Sequence, residues 1–384
     1  MLKSFRRVKQ HGCVGDAAMR GRGEEIMKKR IARPASAFGC VCVVLILMCT
    51  FFVGESFAAD DVSGTTTKKE QTVKVDLGKG AAVITVSDPD SWVYAQLQTT
   101  GSDTIGEAVA GANLLTTLGQ KKTFVVPVKK KQTYYLYLHG TNSGASYTVK
   151  NVIRGGTLTS GKEKLSTSYA DNKTVIWHTI KIKGSGQLRV TVNDASYRYP
   201  GYSKVKLKKD GAIVSGEEHL IKGLGYGTVY GVSAGTYQIG VRSSSELYKI
   251  KAVFTSIAPA AYGSAKKNAP AVAMKTKTYG IIEPGSTNAR WYRVDLPSKA
   301  DGASKRTIQI KADNSNVVTS GGIQFVMSYK RTSDGKLVSV TKKYLLNNGK
   351  ENIEFSLFKN KVRTVYIKVL PKDGASGTYR IYWK

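Results

Sequence analysis

Tyrosines and an arginine crowd the segment Ser196-Tyr-Arg-Tyr-Pro-Gly-Tyr202, where Tyr197, Arg198, Tyr199 and Tyr202 flank a Pro-Gly turn. Phenol rings raised on a loop can stack on sugar rings and donate hydrogen bonds through their hydroxyls, which is the chemistry of glycan recognition. Tyr226 and Tyr230, in and just after the glycine-rich stretch Gly223-Leu-Gly-Tyr-Gly227, extend such a surface if the two loops share one end of a domain. The competing reading is that these rings cap a core or fill a junction between domains. These six residues are the candidate ligand-binding set.

Catalytic and metal chemistry find little support. Beyond residue 58 the histidines are His139, His178 and His219; none has a ligand at metal spacing, and no Gly-x-Ser-x-Gly elbow exists. They read as ordinary surface or turn histidines. The glycine-rich stretch lacks the Lys-Ser/Thr of a phosphate loop. Asp88 with Asp90, and Asp313 with Asn314 and Asn316, offer oxygens to calcium, but neither pair shows the ordered spacing of a dedicated site, and Asx-type turns account for both. Glu217 and Glu218 are adjacent and point to opposite faces of a strand, so they cannot form a glycosidase pair. The expectation is a protein with no catalytic residues, no metal and no cofactor.

The elements that must position these residues are strands. Three times a threonine opens an alternating apolar strand and a tyrosine 12 to 15 residues later sits in another: Thr133–Leu138 with Tyr147, Thr236–Val241 with Tyr248, and Thr364–Val369 with Tyr379. Each pair reads as a closing hairpin. Trp177-His-Thr-Ile-Lys-Ile182 and Trp291-Tyr-Arg-Val-Asp-Leu296 repeat the alternation at the start of the second and third units, and their tryptophans, with Trp383, read as core. Val205 and Leu207 face inward against outward Lys204, Lys206 and Lys208, and Asp210-Gly211 and Asp334-Gly335 mark two hairpin turns. In the first unit the leading strand is Thr72–Leu77, and Ile105–Leu118 reads as a helical turn or a long loop. The predicted fold is all-β: three tandem antiparallel β-sandwiches, jelly-roll-like, at 59–151, 152–258 and 259–384, the last with a leading linker.

This order resembles the bacterial pre-peptidase C-terminal domain family. The residues that carry the resemblance are Gly280-Ile-Ile282 ahead of Trp291-Tyr-Arg-Val294, and Ala234-Gly-Thr-Tyr237 with Tyr248. Arg290 and Ile176 stand where that family usually has an acidic residue. The resemblance implies small β-sandwich modules that accompany secreted enzymes without being catalytic, and it supplies no binding residues.

The N-terminus predicts export. Lys28, Lys29, Arg30 and Arg33 precede the uncharged run Phe38–Val53, and Ser56 and Ala58 fit a signal peptidase cutting before Ala59. Residues 27–58 are therefore expected to be a signal peptide, leaving no membrane span. Residues 1–26 are expected to be a mis-called start, because Gly23-Glu24-Glu25 requires purine-rich codons where a ribosome-binding site would precede Met27. All four cysteines lie before residue 50, so the segment from Ala59 onward holds no disulfide and must rely on its apolar cores.

Charge bounds the partners. From Ala59 onward there are 49 basic and 23 acidic side chains, and only ten of the basic ones are arginine. Lysine is a hydrated point charge, whereas arginine is the usual residue for bidentate base or phosphate recognition. The charge therefore predicts diffuse attraction to an anionic wall polymer or glycan rather than sequence-specific nucleic-acid binding. The leading expectation is a secreted or surface-associated, monomeric, non-enzymatic interaction protein of a Gram-positive bacterium. The alternative is an accessory module acting in trans on a secreted hydrolase, as chaperone or inhibitor.

Overall fold

In a computed structural model of the chain, the structure describes residues 61–101, 108–168, 173–195, 203–215, 218–220, 227–297, 305–314, 322–331, 342–346, 350–356 and 362–384. Alternation of apolar and polar residues over five to eleven positions makes nearly all of this strand. A single 3-10 turn, Lys266–Asn268, is the only helical element among the described residues.

The first eight strands are β1 (Val62–Thr65), β2 (Glu70–Leu77), β3 (Gly80–Ser87), β4 (Val93–Gln98), β5 (Ala108–Leu115), β6 (Lys121–Val128), β7 (Gln132–Gly140) and β8 (Ser146–Ile153). They form two antiparallel sheets in the orders β1-β8-β3-β6 and β2-β7-β4-β5. This is the connectivity of a jelly roll, in which successive strands alternate between sheets except at the central hairpin β4-β5. The next ten are β9 (Gly156–Thr157), β10 (Glu163–Thr167), β11 (Ile176–Ile182), β12 (Gly186–Asp194), β13 (Ser203–Lys209), β14 (Ala212–Ile213), β15 (Glu218–Leu220), β16 (Thr228–Val232), β17 (Gly235–Ser243) and β18 (Leu247–Ser256). Their sheets are β10-β18-β12-β16 and β14-β13-β17-β11-β9, with β15 also on β13. The last eight, β19 (Thr278–Ile282), β20 (Arg290–Asp295), β21 (Lys305–Asn314), β22 (Gly322–Arg331), β23 (Lys342–Leu346), β24 (Lys350–Ser356), β25 (Val362–Lys372) and β26 (Gly377–Trp383), return to β19-β26-β21-β24 and β20-β25-β22-β23. The same topology therefore occurs three times, each copy around its own apolar core.

That topology corrects the expected closing hairpin. β7 and β8 lie in opposite sheets, as do β17 and β18, and β25 and β26. Each Thr…Tyr pair is thus an arch that carries the chain across the core. A hairpin and an arch share one sequence pattern, because both join two strands with one apolar face; only the partner of each strand tells them apart.

The repeated residues acquire roles in this frame. On the inner side, Tyr147, Tyr248 and Tyr379 pair with Gly64, Ser166 and Gly280 on the first strand of each sandwich. A β-carbon at Gly64 or Gly280 would collide with the tyrosine ring. Two of the three phenols then reach the opposite sheet: Tyr248 to His178 Nε2 at 2.8 Å, and Tyr379 to the Tyr292 hydroxyl at 2.7 Å. On the outer side, the threonine hydroxyl donates to an aspartate across the ladder, Thr133 to Asp76 at 2.6 Å and Thr364 to Asp295 at 3.3 Å. Tyr134 and Tyr237 are buried, and their hydroxyls donate to the carbonyls four residues upstream, Lys130 and Ser233.

Three further expectations change. Trp177 and Trp291 are half-buried on the outer face, because inward Ile180, Ile182 and Val294 fix the parity that turns His178 and Tyr292 into the core. Trp383 does lie in the core, its indole N–H donating to Val272 O at 2.7 Å. His178, expected at the surface, is fully buried. Ala108–Leu115, within the stretch read as a helical turn or loop, is a strand that pairs with β4 across a bulge. The Asp210-Gly211 turn closes β13 onto β14 with φ of 47° and 88°; Asp334-Gly335 lies outside the described residues.

The sandwiches meet through specific contacts. Val83, Val152 and Leu247 form a small buried cluster between the first and second. Between the second and third, the Gly231 amide donates to Ser376 Oγ at 3.0 Å, and that hydroxyl donates to Ile282 O at 2.8 Å. Gln187 and Arg189 both reach Asp313, at 2.8 and 3.0 Å. The linker of the third sandwich is strand-like in part: Gly263 exchanges backbone hydrogen bonds with Trp291.

Two outcomes test this reading. Gly280→Ala should displace Tyr379 and destabilise the third sandwich by about 1–3 kcal/mol in urea unfolding; an unchanged midpoint would contradict the packing. Burial, aided by the charge of Lys164, pushes the His178 imidazole down to about 3 from 6.5. Protonation thus favours the unfolded chain, so the contribution of neutral His178 is complete above pH 6.5 and declines by up to about 1.4 kcal/mol per pH unit below it. His178→Gln should flatten the acid limb of the stability profile, and equal limbs in both proteins would refute the assignment.

Candidate functional site

The outer face of the first sandwich's β2-β7-β4-β5 sheet carries a contiguous group of aromatic and polar side chains, some exposed and some buried. Inward Val75, Leu136, Leu138, Ala95 and Leu97 hold the core, which forces the alternate residues outward. Register then sets them in rows. Glu70, His139, Tyr94 and Leu115 form one row; Thr72, Tyr137 and Gln96 form the next; Lys74, Tyr135 and Gln98 form a third. Trp92, just ahead of β4, extends the first row.

The rings touch. Trp92 and His139 have centroids 5.4 Å apart, tilted at 44°. Tyr137 stacks on His139 at 6.4 Å and 14°, and meets Tyr94 edge-on at 6.4 Å. Glu70 Oε1 lies 2.9 Å from His139 Nδ1, an ion-pair distance without hydrogen-bond alignment, and an ion pair only when the imidazole is protonated. Gln98 donates its amide to Gln96 at 2.9 Å. Burial, with Glu70 and Tyr94 nearby, raises the Tyr137 phenol, which stays neutral. Trp92 is 36% exposed, Glu70 and Leu115 are exposed, and Tyr94 and His139 are half-buried. The chain turns back over Tyr135 at Gly101, where a β-carbon would sit 2.6 Å from the ring.

Trp92, Tyr94 and His139 reach this surface beside the Glu70 carboxylate, whereas Tyr137 and the amides of Gln96 and Gln98 are buried. Rings take the apolar faces of sugars, and the polar groups take hydroxyls. It does not match a glycosidase: the other carboxylate on this face of β2, Asp76, is six residues along the strand from Glu70, roughly 20 Å away, beyond the range that either hydrolytic geometry needs.

The equivalent sheets of the other two sandwiches differ. Trp177 lies over Gly240 with Lys208 Nζ 4.1 Å and Lys206 Nζ 5.5 Å from its ring centre. Trp291 has Lys368 at 5.6 Å, and Tyr366 has Lys266 at 4.6 Å. Lysines cover these rings, so the faces present cations. Trp92 has no such lysine or arginine among the described residues. A cleft of about 410 Å³ at the junction of the first two sandwiches is lined by Lys79, Arg154, Val175, Ile176 and Trp177.

The sequence-derived set fares differently. Tyr197, Arg198, Tyr199, Tyr202 and Tyr226 lie outside the described residues. Tyr230 is a correction: it sits on β16, fully buried in the core of the second sandwich, and cannot meet a ligand. The aromatic face was missed although Tyr135, Tyr137 and His139 share a parity opposite to Leu136 and Leu138. That signal marks outward rings on β7; it does not bring Trp92 and Tyr94 to them.

No protein-family model matches the chain, and no curated protein matches it. Among solved structures, the N-terminal CBM22-1–CBM22-2 tandem domain of Paenibacillus barcinonensis Xyn10C is 9% identical, over 56% of this chain and 83% of that chain, with a TM-score of 0.23. The PBSX exported protein XepA is 9% identical over 84% of this chain and 86% of that chain, at 0.19. Allantoicase is 12% identical over 49% and 78%, at 0.18. Likeness at this level assigns no function.

Proposed function

We propose that this chain is a non-enzymatic, exported binding protein that holds a glycan on the outer face of its first sandwich. The contiguous rings of Trp92, His139 and Tyr94 beside Glu70 carry this reading, since they reach the surface around a buried Tyr137 while the matching rings of the other sandwiches lie under lysine. Those lysine-bearing faces add diffuse attraction to anionic polymer, of the kind that salt screens. Ring stacking supplies affinity for neutral sugar, and the charge supplies retention on acidic wall material. The resemblance to pre-peptidase C-terminal domains accords with a non-catalytic role; it stands on Gly280, Trp291, Tyr237 and their neighbours. Export and a Gram-positive surface rest on the basic-apolar N-terminus.

Retention of the purified protein on neutral glycans, acidic glycans and cell wall, at low and high salt, tests the reading. Replacing Trp92 and Tyr94 together with alanine should weaken neutral-glycan binding by at least about tenfold, since each ring contributes on the order of 1 kcal/mol, without changing the unfolding midpoint by more than a small margin. Retention on acidic wall should fall steeply with salt in both proteins. No retention on any glycan, or an unaffected double variant, would reject the aromatic site.

A further inference from the structure

One carboxylate in the first sandwich is buried without explanation. Asp88 closes β3 and is 2% exposed. Its Oδ1 accepts the amides of Asp90 and Ser91 at 3.0 and 3.1 Å, and its backbone carbonyl accepts the Gly119 amide at 3.0 Å. Its Oδ2 is buried and has no partner among the described residues. A carboxylate oxygen taken out of water without a donor is costly unless a cation faces it.

Two carbonyls converge on the same place. A β-carbon built on Gly140 would lie 3.2 Å from Trp92 O, 3.3 Å from Asn142 O and 3.8 Å from Asp88 Oδ2. Gly140 is a buried strand residue whose φ is not in the left-handed region, so backbone conformation does not demand glycine there. What the missing side chain leaves is space onto which three oxygens open. The Gly140 amide itself points away from this space, to Lys69 O at 2.9 Å.

We infer that Asp88 Oδ2, Trp92 O and Asn142 O are the protein ligands of a calcium-type divalent cation, with water completing its shell. All three donors are hard oxygens, and one carries charge, which suits Ca²⁺ and not a metal that prefers nitrogen or sulfur. A single carboxylate implies weak affinity, in the range of roughly 0.1–1 mM typical of extracellular modules. The ligands come from the turn after β3, the residue before β4 and the turn after β7. A cation would therefore clamp both sheets at one end of the sandwich and fix the backbone of Trp92. The inference stands independently of glycan binding.

Thermal unfolding and titration calorimetry of the chelator-treated protein, with calcium, magnesium or ionic-strength-matched sodium, test it. Calcium should raise the unfolding temperature saturably by several degrees, and magnesium should do so less. Asp88→Asn keeps the turn acceptor but removes the charge, and should abolish the calcium increment; Asp90→Asn should retain it. Gly140→Ala, which fills the space, should also abolish it. Even if that variant does not fold, the wild type and the two aspartate variants decide the matter. The site is overturned if calcium gives neither heat nor a rise beyond the sodium control, if magnesium and calcium act alike, or if Asp88→Asn keeps the full increment.

Discussion

Each sandwich depends on a tyrosine of its last strand lying over a small residue of its first. The rings of Tyr379 and Tyr147 occupy the volume that Gly280 and Gly64 leave, and Tyr248 is paired with the small Ser166. A buried phenol must find a hydrogen-bond partner, and in two sandwiches that partner comes from the opposite sheet, as His178 or Tyr292. The bond ties together sheets that otherwise touch only through apolar side chains. It also fixes which residue of the second strand points inward, and so which points out. Through that parity, the inner pair dictates the outer surface.

The first sandwich departs from this arrangement, and its surface departs with it. Val73 stands where His178 and Tyr292 stand in the other copies, since each is paired with the residue three after the repeated threonine. Tyr147 accordingly has no polar partner across the core among the described residues and remains partly exposed. On the outer side, Thr72 replaces the tryptophan, and the aromatic groups shift to β7 and β4. There Tyr94 and His139, with Trp92 beside them, reach the surface around a buried Tyr137 rather than as single rings under lysine. Three copies of one topology thus present two kinds of surface, one aromatic and two cationic.

The fold class was legible from residues alone: period-two alternation, Gly-rich turns and three matching Thr…Tyr arches are local features, and local features survive folding unchanged. Sheet membership was not legible. Whether β7 pairs with β8 or crosses to the other sheet leaves no mark on either strand, because each has one apolar face in both cases. The tryptophans were misplaced for a related reason. Bulk argues for the core, but the isoleucines two and four residues from His178 outvote bulk and send Trp177 outward. Tyr230 went the other way, a ring beside glycines that β16 buries completely.

Sequence by itself determined most of the strands, the Asp210-Gly211 turn, the threefold repetition, the absence of cysteine beyond the N-terminal segment and the excess of lysine, because each follows from residue types read in order. Tertiary structure alone decided the candidate sites. Trp92 and Tyr94 stand over forty residues before Tyr137 and His139, and only the register of β4 against β7 makes them one surface. The orphaned oxygen of Asp88 faces the carbonyls of Trp92 and Asn142 only because two turns meet at the same end of the sandwich. Carbonyl oxygens exist at every residue, so nothing in a sequence marks the ones that converge; their meeting is a property of how the sheets close.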